Sequence, residues 1–167
     1  MLDGRIFESF HVDIGVRDPI VEKPEILQTL DLMAFADIEP VPFPSYPLTQ
    51  HIAEKLRAYT RPHAGAENTH VRDFVDMLLI ASMSRIDGRN LSAAITATFE
   101  VRSTHSFPGQ LPDPPSSWAS SFRRSAEDLE LSWHELPAAT QAAQAFVNPI
   151  LKGAIAKVWN PETWSWE

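Results

Sequence analysis

No cysteine occurs among the 167 residues, which removes disulfide frameworks, thiol chemistry and thiolate zinc clusters together. Glycine is sparse: Gly4, Gly15, Gly65, Gly88, Gly109 and Gly153 are scattered too widely to form a phosphate-cradling loop. There is no Gly-x-Ser-x-Gly elbow to support a hydrolase. No apolar run is longer than the five residues from Met77 to Ala81, far short of the roughly 20 a membrane helix needs. No basic-then-apolar leader opens the chain, which therefore reads as cytoplasmic. Positive charge is also scarce, with 14 Lys and Arg against 22 Asp and Glu and a net charge of −8. Such a balance argues against general nucleic-acid binding, which depends on neutralising phosphates. The basic residues between 61 and 124 are all arginine, so the middle of the chain has room for a local phosphate site rather than a long electrostatic platform.

What is present fits one globular domain, or most of one: 44% hydrophobic and 22% charged residues, at a length ample for a buried core. Ile6, Phe10, Val12, Ile14 and Val16 fall on even positions, with Arg5, Ser9, His11, Asp13 and Arg17 between them. This is the period of a strand with one buried face, and Asp18-Pro19 ends it. Residues 25–36 suit strand or helix equally. The stretch containing Pro40, Pro42, Pro44 and Pro47 reads as an extended connection. Helical patterning then takes over. One helix is expected from Leu48 to about Tyr59, with Pro47 in the first turn. A second runs from about His70 to Met83, capped by Asn68 or Thr69, and a third from an Asn90 cap to about Arg102. A stiff loop spans Phe107 to Pro115. A fourth helix, capped by Ser116 or Ser117, runs towards Glu130, and a fifth from Glu135 to about Lys152. The fold class is thus α+β: one or more short N-terminal strands followed by about five helices. The five tryptophans are expected to plug the C-terminal helices into the core, with Trp164 and Trp166 covering an edge.

Two helices carry charge where apolar residues belong. With Ile52 at 0° on a wheel of about 100° per residue, Leu48, Leu56 and Tyr59 form a stripe that includes Lys55. A lysine there must either snorkel out or meet an anion. In the next helix Arg72, Asp73 and Asp76 occupy one sector, while Phe74, Val75, Met77 and Leu78 make the remainder apolar. A helix apolar on nearly every side is buried, so its charged opening lines a cavity or an internal ion pair. The plainest version is an Arg72–Asp76 pair at i, i+4, with Asp73 stabilised near the helix N-terminus.

His51-Ile52-Ala53-Glu54-Lys55-Leu56-Arg57-Ala58-Tyr59, a loop, and Thr69-His70-Val71-Arg72-Asp73-Phe74-Val75-Asp76 together resemble the helical half of the AbiEii-type nucleotidyltransferases. These are toxins of bacterial toxin–antitoxin pairs, built on the DNA polymerase β-like nucleotidyltransferase fold. The family pattern is an Ala-Glu-Lys-Leu-x-Ala helix, a loop, then Arg-x-Lys-Asp-x-x-Asp. The stretch Phe10-His11-Val12-Asp13-Ile14-Gly15-Val16 resembles a later strand of that fold bearing an acidic residue. Residues 5–105 carry the likeness best. In this chain the pattern's lysine is Arg72, a planar fork rather than a point charge, and its leading arginine is His70. The family's opening glycine turn and Asp-x-Asp strand have no counterpart in the sequence. The resemblance therefore implies an incomplete domain, with 1–46 the remnant of the sheet region and 47–167 the helical region.

The family chemistry transfers a nucleotide from an NTP, with tRNA the acceptor in some members. It uses carboxylate-held Mg²⁺ and cations on the triphosphate. The resemblance puts Lys55 and Arg72 on phosphate, Asp73 with Asp76 at the acceptor as orienting groups or base, and Asp13 among the metal-bearing carboxylates. One strand aspartate alone does not make a Mg²⁺ site, and the isolated chain is expected to be weak or inactive. The alternative is a non-catalytic module or remnant contacting a cognate antitoxin or RNA. Loss of neighbouring strands would expose the His11–Asp13 strand as an edge and favour self-association. The remaining candidates are poorer. His11 with Asp13 lacks a third metal ligand, and Arg123-Arg124 beside Trp118 and Phe122 suits a solvated face better than base stacking.

Overall fold

The computed structural model describes residues 11, 20–32, 34–62, 70–102, 105–154 and 156–167. The Asp13 strand lies outside the described residues, as do the Asn68 and Thr69 caps. The architecture is α+β. An N-terminal hairpin pairs β1 (Glu25–Gln28) with β2 (Pro42–Ser45). Five helices follow: α1 (Leu48–Thr60), α2 (Val71–Met83), α3 (Gly88–Arg102), α4 (Ala119–Asp128) and α5 (Leu136–Leu151). A three-stranded antiparallel sheet closes the molecule, ordered β3 (Ile86–Asp87), β4 (Val158–Asn160), β5 (Ser165–Trp166).

Residues 25–36, ambiguous by pattern, divide into β1 and a 3-10 turn at Ala34–Ala36. The proline stretch is extended as expected, but it is also paired. Thr29 N–H donates to the Val41 carbonyl at 3.1 Å, so in this register Leu27 and Phe43 exchange hydrogen bonds while Pro42 and Pro44 face away from β1. Only at such outward positions does a missing N–H cost the ladder nothing.

α1 starts where Pro47 ends the extended chain, and it buries Ile52, Ala53, Leu56 and Tyr59. α3 is capped three residues earlier than expected. Its cap is Asp87, whose Oδ1 accepts from the N–H groups of Arg89 (2.9 Å) and Asn90 (3.0 Å). α4 is preceded by a 3-10 turn, Ser116–Trp118, and neither serine caps it. Gly153 at φ +88° ends α5 in the left-handed region that glycine adopts freely.

The loop before α4 is strapped to the body. Tyr59 donates its hydroxyl to the Pro112 carbonyl at 2.6 Å, and Leu111 N–H donates to Asn148 Oδ1 at 2.7 Å. Burial pushes the Tyr59 phenol up, and Asp113 adds to the shift. The core runs from Ile52, Leu56, Phe74 and Phe122 through Phe146 to Trp159, all essentially inaccessible. Three tryptophans anchor the C-terminal sheet through their indole N–H groups. Trp159 donates to the Ala81 carbonyl (2.8 Å), Trp164 to Ala142 (3.1 Å) and Trp166 to Phe146 (2.8 Å). Burying an indole requires such a partner.

Candidate functional site

Packing of α1 against α2 sets the site. Lys55 leaves the apolar stripe of α1 beside the charged opening of α2. Its Nζ lies 3.0 Å from Asp73 Oδ1 and 2.7 Å from Asp76 Oδ2. The anion that its wheel position demands is therefore a pair of carboxylates one helical turn apart. Burial draws the Lys55 ammonium down, but its hydrogen bonds to Asp76 and Asp73 and their charges outweigh this, and the group is held above its ordinary value.

Asp73 is the most enclosed member, with its side chain 15% exposed. Its second oxygen lies 2.6 Å from His70 Nδ1. His70 occupies the N-cap position of α2 but makes no side-chain bond to the backbone there; it is spent on the carboxylate instead. Asp73, in the first turn, also gains from the positive end of the helix dipole. Asp76 pairs with Lys55, and Arg72 forms no ion pair among the described residues. The i, i+4 pair is thus replaced by a contact between helices. Arg72 is exposed on the wall of the same cleft.

The cleft holds about 520 Å³, and α4 completes it through Ser125, Asp128 and the following Leu129. Lys55, Arg72, Asp73 and Asp76 all line it. Asp13 lies outside the described residues. The sequence reading missed the His70 contact, for which a histidine three residues before an aspartate was the available signal. It also missed the α4 contribution, which depends on a helix-packing angle that periodicity does not encode. A second open cleft of about 460 Å³, between the proline loop and α4–α5, is bordered by Asp113, Pro137, Thr140 and Gln144. No lysine or arginine is among the described residues that line it.

An ammonium has three donors. Lys55 uses two on carboxylates and remains 32% exposed at the cleft. The third is open to a phosphate oxygen, with Arg72 available as a second cation. Among the described residues no group of three or more His, Asp and Glu side chains converges as metal ligands would, and no helix is long and apolar enough to cross a membrane.

The fold is of the α+β class, and its cleft holds a carboxylate-bound lysine together with an arginine that forms no ion pair among the described residues. The family model described as "Nucleotidyl transferase AbiEii toxin, Type IV TA system" matches residues 1–163. The chain belongs to this family of nucleotidyltransferase toxins of type IV toxin–antitoxin systems. No curated protein matches it.

Proposed function

We propose that the chain transfers a nucleotide from an NTP to an acceptor such as tRNA in the bacterial cytoplasm. The observation that carries this reading is Lys55, fixed by two carboxylates with its remaining donor turned to the cleft that Arg72 lines. In this scheme Lys55 and Arg72 grip the triphosphate. Asp73, held by Lys55 and His70, orients the acceptor hydroxyl and takes its proton. The hydroxyl oxygen forms the new bond to the α-phosphorus, and pyrophosphate leaves with the electrons of the broken bond. Asp76 keeps Lys55 in place.

Mg²⁺ is the family's implied metal, arriving with the triphosphate. The described residues do not fit a resident ion: Asp73 and Asp76 are already neutralised by Lys55, and no ligand cluster accompanies them. Asp13 is the carboxylate we assign to the metal side of the site.

The same neutralisation favours a second reading, a binding module that contacts the cognate antitoxin or RNA without catalysis. Labelled NTPs, excess Mg²⁺ and total tRNA separate the two. Transfer of label to RNA, abolished by Lys55→Ala and by Asp73→Ala in variants that keep their helical circular dichroism, is the expected result. RNA retention without label by folded protein would establish the binding reading. A result with neither label nor RNA retention would discard both transfer and RNA binding.

A further inference from the structure

We propose that β1 is a docking edge for a second copy of this chain, giving a closed two-fold dimer through a four-stranded sheet ordered β2, β1, β1 of the second copy, β2 of the second copy. The hairpin has two edges, and they differ chemically. Along β2 the outward positions are Pro42 and Pro44, which offer no N–H to a further strand. Along β1 the outward positions are Ile26 and Gln28, each with a complete peptide group, and among the described residues β1 pairs with β2 alone. Among the described residues, one edge can grow and the other cannot. Pairing β1 with β1 therefore ends in proline on both sides, so it closes at two copies rather than propagating.

The sequence of β1 is self-complementary in one antiparallel register. With the two-fold axis at Leu27, Ile26 of one copy and Gln28 of the other exchange two backbone hydrogen bonds, and the symmetry repeats the exchange. Leu27 meets its own counterpart at the closely spaced position. Lys23, just before the strand, comes to the end where Asp31 of the second copy follows it, again twice. Both are exposed. Glu25 meets Thr29, so no like charges stand directly opposite each other. The surface is apolar as well as edge-bearing: Ile26 is 67% exposed and Leu27 42%. A four-residue edge buries less than the roughly 800 Å² per partner of a standard complex, which places the association in the concentration-dependent range.

Sedimentation velocity over a micromolar-to-millimolar concentration series tests the assignment. A monomer–dimer equilibrium with no larger species is expected. Ile26→Pro removes an outward N–H that the hairpin itself does not use, and should weaken dimerisation about tenfold or more, whereas Ile26→Val should leave it unchanged. Lys23→Glu and Asp31→Lys should each weaken it about fivefold. Mixing those two variants should restore association, because the mixed pair places opposite charges at both ends. A chain that stays monomeric throughout, dimers indifferent to Ile26→Pro, or a mixture that associates no better than its components would overturn the proposal.

Discussion

The helical body and the N-terminal hairpin draw on the same kinds of residue and treat them oppositely. In the body, Phe74, Phe122, Phe146 and Trp159 are inaccessible; in the hairpin region none of the described residues from 20 to 45 is buried, and Phe35 is 84% exposed. Ten of the fourteen large apolar side chains exposed among the described residues fall between Ile20 and Phe43. Composition does not distinguish the regions; the number of layers does. Helices and the C-terminal sheet enclose a core between them, whereas the two-stranded ribbon has no second layer among the described residues. The hairpin is tied to the body by Glu22 instead, whose carboxylate accepts the Thr49 hydroxyl at the start of α1 and the Asn90 amide (2.6 Å) at the start of α3. Two helix N-termini favour a negative charge at that point.

The sharpest test of this contrast is a pair of truncations. Trp159→Ala should destabilise the chain by about 3–5 kcal/mol in urea unfolding, while Phe35→Ala should stay within about 0.5 kcal/mol. Equal effects would mean that the hairpin is packed. Next in size is Thr98→Ala, which removes the acceptor for Gln50 Nε2 (2.8 Å) between α1 and α3 and strands a buried donor. A loss of about 1–3 kcal/mol is expected, measured in the same way.

Glu22→Ala should act locally. Hydrogen exchange across residues 20–45 should accelerate while the urea midpoint of the body moves by less than the Thr98 variant moves it. A coincident loss in both regions would merge them into one cooperative unit. The smallest effect is ionic and confined to the body. Because Lys55 is held above its ordinary value of 10.5, its contribution to stability is complete below that pH and declines as pH rises through the folded-state value. Stability followed from neutral pH upward should fall in that alkaline window. Asp73→Asn combined with Asp76→Asn should flatten the fall.

Much of the body was legible from side-chain period. Pro47 and the Ile52–Leu56–Tyr59 stripe mark α1, and the misplaced charge of Lys55 calls for either a route to solvent or an anion, which the opening of α2 supplies. That reasoning marks out Lys55, Asp73 and Asp76 because both helices display their anomalies in sequence, but it pairs Asp76 with Arg72, and only the packing of α1 on α2 gives Asp76 to Lys55. It stops where geometry between elements decides. Ser125 and Asp128 enter the cleft only because α4 crosses α2 there, and Glu22 reaches Asn90 across 68 positions. Strands of two or three residues, such as β3 and β4, are too short for any period to register. The pattern favours Asn90 as the cap of α3, where Asp87 takes that place. Pro42 and Pro44 argue against a strand, yet their alternate spacing is what an edge strand tolerates.

The tryptophan anchors bear on when the molecule can finish folding. Residues 158–167 form β4 and β5, and their indoles fill the carbonyls of Ala81, Ala142 and Phe146. During synthesis α1 and α2 emerge long before their last partner, and the Trp159–Ala81 contact spans 78 positions, a long loop to close. A nascent chain that has made both walls of the cleft still lacks the wedge that locks α2 to α5. For a toxin, this delays assembly of the finished fold until translation has passed Trp166.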